Sequence, residues 1–118
     1  MTLLVPQRTA GGPVEPSAGR LIPLGPAQAR IVGGFWAGQQ QVNADVTLAH
    51  CRAWMERIGW IPNFDRAADG TVATTRSGVE FVDSEVYKLL EAMAWELARR
   101  PDGALESEYG AQIGRAHV

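Results

Sequence analysis

The chain has 118 residues, 46% hydrophobic and 20% charged, with a net charge of −2 and its acids and bases interspersed. That is room for one small domain, and the lack of a basic stripe argues against nucleic acid as a partner. A single cysteine, Cys51, rules out an intrachain disulfide and suits a reducing cytoplasm.

Residues 1 to 30 hold five of the seven prolines, together with Gly11, Gly12, Gly19 and Gly25. Proline removes a backbone donor and fixes φ, so this segment is not helical. Residues 1–18 read as a loose tail and 19–34 as an extended arm, with a short strand expected over Ala29 to Val32. The few apolar residues before Pro6 fall short of the roughly 7–15 of a signal-peptide core. No stretch reaches the roughly 20 apolar residues of a membrane span. A cytoplasmic protein with no membrane partner is the expectation.

The first helix is predicted from about Trp36 to Ile58. Phe35, Val42, Val46, Ala49, Ala53 and Ile58 trace one helical face, and Trp54 and Met55 widen it. Gly59 fits the C′ position, and Pro62 follows. Residues 60–81 read as a long connection with Gly70, Gly78 and a threonine cluster. Its length exceeds that of most loops in compact domains.

The second helix is predicted from about Ser84 to Arg99. Val86, Leu89, Leu90, Met93, Ala94 and Leu97 follow the i, i+3, i+4, i+7 pattern closely. Glu96 stands at ion-pair spacing from Arg99 and Arg100. Pro101 and Gly103 are read as its end. Tyr87 and Trp95 lie off the main stripe, which implies cover on more than one side.

Two helices and an irregular arm do not make a closed domain. Trp36, Trp54, Trp60 and Trp95 ask for more partner surface than one hairpin supplies. The expectation is the beginning of a larger, mainly α body whose remainder is missing. The last six residues, Ile113 to Val118, are what ATC GGA AGA GCA CAC GTC encodes, with TGA as the following stop. That string matches the start of a widely used sequencing-library adapter, so residues 113–118 are expected to be an artefact outside the fold.

Two motifs carry a resemblance. Gly34-Phe35-Trp36 opens the first helix, and Phe81-Val82-Asp83-Ser84-Glu85-Val86-Tyr87-Lys88 enters the second. With their surroundings, over about residues 20–112, they resemble the N-terminal region of glycoside hydrolase family 127, the β-L-arabinofuranosidases. The resemblance implies that residues 35–112 are the first helices of an (α/α)6-barrel catalytic domain. It also implies a carbohydrate substrate, namely a terminal β-L-arabinofuranosyl residue hydrolysed with retention. In that family a zinc-bound cysteine is the nucleophile and a glutamate the acid/base. Those residues lie downstream of this chain, so no catalytic residue and no metal ligand is assigned here; zinc is expected only in the full-length parent. Another glycosidase of the same architecture, and a non-enzymatic helical interaction module, are the alternatives.

The acids ahead of the second helix have two readings. Asp83 as N-cap would accept from the backbone N–H of Glu85 or Val86, with Glu85 in the first turn facing Lys88. This accounts for both acids without chemistry. The alternative makes Asp83 a substrate-binding residue that contacts sugar hydroxyls. Paired carboxylates also suit general acid–base catalysis, although capping needs no such role. Cys51 and the tryptophans are expected to pack in the core, with stacking on sugar faces the alternative for the tryptophans, and His50 has no ligand at metal spacing. The glycines at 33 and 34 match no phosphate-binding pattern.

Overall fold

In the computed structural model, which describes residues 18, 21, 23–26 and 28–116, the first helix is present but interrupted. It runs as α1 (Gly34–Val42), a single π-turn (Asn43–Thr47) and α2 (Leu48–Arg57). The wide turn is marked by the Leu48 N–H donating to the Asn43 carbonyl, five residues back. Gly59 takes φ +82°. Its N–H donates to the Glu56 carbonyl and that of Trp60 to Met55 (3.1 and 2.9 Å), the paired bonds of a Schellman ending.

The connection that follows is more ordered than its glycines and threonines suggest. It contains α3 (Pro62–Ala68), with Pro62 in the first turn where its missing N–H costs nothing, and α4 (Val72–Thr75). Next comes α5 (Val82–Arg99). After a two-residue break at Arg100 and Pro101, Asp102 starts α6 (Gly103–Ala116). Its carboxylate accepts from the N–H groups of Ala104 and Leu105, both at 3.0 Å.

The core lies where α2, α5 and α6 meet. Leu48, Leu89, Leu90 and Met93 are buried together, flanked by Cys51, Met55, Ala92, Leu105, Tyr109 and Ile113. Each large apolar side chain withdrawn from water contributes about 1.5–3 kcal/mol. The α5 stripe is the predicted one, and Cys51 packs as expected. Ion pairs tie α6 to its neighbours: Arg52–Glu108 at 3.4 Å, Arg115–Glu56 at 2.9 Å and Arg115–Asp65 at 3.7 Å.

Several expectations are corrected. Residues 29–32 form no strand; among the described residues the chain is helical or irregular. On the first helix the packed stripe is Leu48, Cys51 and Met55, whereas Phe35, Val42 and Val46 face solvent. The helix carries two apolar stripes, and the positions of α5 and α6 decide which is covered. The tryptophans are not core: Trp36 is 66% exposed, Trp54 and Trp95 are also exposed, and Trp60 is half-buried. They lie at helix ends or off the packed stripes.

The N-cap reading of Asp83 is also corrected. Phe81 is the N-cap of α5, it makes no side-chain capping bond, and Asp83 lies within the first turn. Ser84 Oγ instead donates back to the Phe81 carbonyl at 2.8 Å. Lys88 does pair with Glu85, at 2.6 Å.

The tail of residues 1–18 lies almost wholly outside the described residues, as do His117 and Val118. Ile113 and Arg115 fall within α6. The radius of gyration is 17.4 Å, against about 13 Å for a compact domain of 100 residues. The described residues, the irregular arm ahead of α1 included, thus spread wider than a compact domain of this size.

Candidate functional site

Asp83 lines a cleft of about 270 Å³ at the head of α5, together with Trp60, Asn63, Phe64, Arg76, Glu80 and Tyr87. Each wall has a local cause. The Schellman ending of α2 sets Trp60 as the first residue beyond the turn. Its indole lies against Gly78, where an added Cβ would fall 2.6 Å from Trp60 Nε1. Gly78 has φ +86°, so the left-handed backbone and the close approach both select glycine.

A polar clamp holds the connection beneath the cleft. Asn63, on α3, is buried. Its Nδ2 donates to the Ser77 carbonyl (2.8 Å) and its Oδ1 accepts from the Ser77 N–H (2.9 Å). Arg66 Nη1 lies within bonding distance of Asn63 Oδ1, Ser77 Oγ and the Gly59 carbonyl. The clamp joins the end of α2, α3 and the segment before α5. On the far wall Phe64 meets Tyr87 edge-on, with centroids 5.8 Å apart.

The polar groups are few. Arg76 and Glu80 sit 3.6 Å apart, and Asp83 is exposed in the first turn of α5. Among the described residues its carboxylate has no side-chain or capping partner. It is therefore free to accept hydrogen bonds from a ligand. Aromatic walls with a few convergent polar groups are the usual make-up of a small-molecule site.

A larger concavity, about 1120 Å³, lies between Pro26, residues 29–32, α1 and the C-terminal half of α5. Trp36 and Trp95 line it, with the amides of Gln39, Gln40 and Asn43. Its acid, Glu96, is already committed. It is buried and receives two bonds from Arg99, whose guanidinium is held above its ordinary range chiefly by that contact. Size favours this groove, but the uncommitted carboxylate favours the smaller cleft.

The two sequence motifs part company here. Trp36 lies in the large groove and packs edge-on against Phe35 at 5.1 Å, whereas Asp83 and Tyr87 lie in the small cleft. His50 is set edge-on to Trp54. Among the described residues no three His, Cys, Asp or Glu side chains come together as a metal site. Phe64 and Asn63 escaped the sequence reading of the site, whereas Trp60 entered it as one of the tryptophans with a sugar-stacking alternative, and the Gly59 stop fixes its place. Comparisons with protein-family models, with curated proteins and with solved structures give no match.

Proposed function

We propose that the chain supplies the N-terminal helices of a glycoside hydrolase with an (α/α)6 barrel, similar to the β-L-arabinofuranosidases, and that Asp83 holds hydroxyl groups of a terminal sugar. The observation that carries this reading is a carboxylate that caps nothing and lines a cleft with Trp60, Phe64 and Tyr87. Aromatic rings cover the apolar face of a sugar ring, and a carboxylate accepts strongly from its hydroxyls. The exposed Phe35, Trp36, Val42 and Val46 support the idea that these helices belong to a larger body.

Asp83 binds rather than breaks bonds in this reading. The nucleophile, acid/base and zinc of the resembled family belong to the rest of the parent. Among the described residues no group of His, Cys, Asp or Glu side chains fits a zinc ion. This chain alone is expected to be inactive on 4-nitrophenyl β-L-arabinofuranoside and to purify without stoichiometric zinc. A longer reading frame recovered from the source DNA is expected to hydrolyse that substrate. Turnover by this chain alone, or an inactive longer protein, overturns the reading.

The alternatives keep their place. Another terminal glycoside as substrate would show in a substrate panel run on the longer protein. An interaction module that buries its tryptophans against a partner or a second copy draws support from the same exposed face of α1, and a natural stop near residue 112 in the source gene would favour it.

A further inference from the structure

We draw no further inference here: the strongest candidate, the open groove between Pro26, residues 29–32, α1 and the C-terminal half of α5, which holds Trp36 and Trp95 beside the exposed apolar face of α1, is unpartnered, and nothing in the structure shows what covers it.

Discussion

Asn63 and Ser77, fourteen residues apart, exchange two hydrogen bonds in which the Asn63 amide stands in for a strand neighbour of the Ser77 backbone. Asn63→Ala removes both partners and leaves polar groups unpaired in a half-buried place. The expected loss is about 1–3 kcal/mol, read as a lower denaturant midpoint. Asn63→Asp keeps an acceptor for the Ser77 N–H and an anion for Arg66 but sets an oxygen against the Ser77 carbonyl where Nδ2 donated, so it too should lose stability. Unchanged midpoints for both variants would show that the amide's donor and acceptor pairing is not what holds the connection.

Gly78 and Gly70 make a paired test. Both have positive φ, but an added Cβ at Gly70 meets nothing within 4 Å, whereas at Gly78 it meets Trp60 and Val82. Gly70→Ala should cost about 1–2 kcal/mol, the backbone penalty alone. Gly78→Ala should cost more and should shift the Trp60 environment, visible in tryptophan emission. Equal costs with unchanged emission would mean that Trp60 does not rest on Gly78.

Glu96 is 5% exposed and bonded twice by Arg99. Glu96→Ala strands the arginine at a partly covered position, at an expected cost of about 1.5–3 kcal/mol. Arg99→Ala leaves the more deeply buried carboxylate, with Arg100 3.8 Å away as a reserve partner. Thermal midpoints of both single variants and the double variant isolate the pair. A coupling energy near zero would reduce the contact to packing.

Asp83 is expected to separate stability from activity. Outside the capping position it retains only its favourable place near the helix N-terminus, worth about 0.3–1 kcal/mol. In the longer parent, Asp83→Asn should leave the melting temperature nearly unchanged and lower kcat/KM by roughly tenfold or more, the equivalent of one lost charged contact. Unchanged kinetics for Asp83→Asn and Asp83→Ala would remove Asp83 from the binding site.

Asp45 reports on the meeting of the first helix with the end of α5. The Gln41 amide above all, and Arg100 at 3.3 Å, hold its carboxyl below the ordinary aspartate range, partly opposed by desolvation. A depressed folded value means that the contact stabilises above the unfolded pKa of about 3.9. That contribution fades as pH falls through the folded value. An NMR titration should place Asp45 below the ordinary aspartate range, and Arg100→Ala should raise it. A titration at the ordinary value would leave the contact without electrostatic content.

The parts of the fold legible in the sequence are those where one stripe dominates. On α5, Val86, Leu89, Leu90 and Met93 leave a single choice of buried face, and the structure makes it. On the first helix two stripes compete, and sequence has no means of weighing tertiary partners. The last helix was hidden by its own punctuation. Pro101 and Gly103 read as a stop, but the Asp102 between them is a start, with Leu105 and Tyr109 spaced to pack behind it. At the site, Asp83 could be singled out as an acid but not placed. Its position relative to the start of α5 turned on Phe81 being the residue that leaves the helix. Of the rings beside it, Trp60 and Phe64 come from across a turn whose path depends on the Asn63 clamp.

The π-turn at Asn43–Thr47 works as a phase adjuster. A wide turn absorbs one extra residue, so α1 and α2 keep the mutual orientation of a regular helix one residue shorter. Regularising the turn at constant length would rotate α1 by about 100° relative to α2, carrying Trp36 away from the groove it shares with Trp95. Deleting one residue between Asn43 and Thr47 would leave both faces in place. A loss of one residue at this point is therefore a tolerated change, and sequences that differ from this one by a single gap there would present the same surfaces.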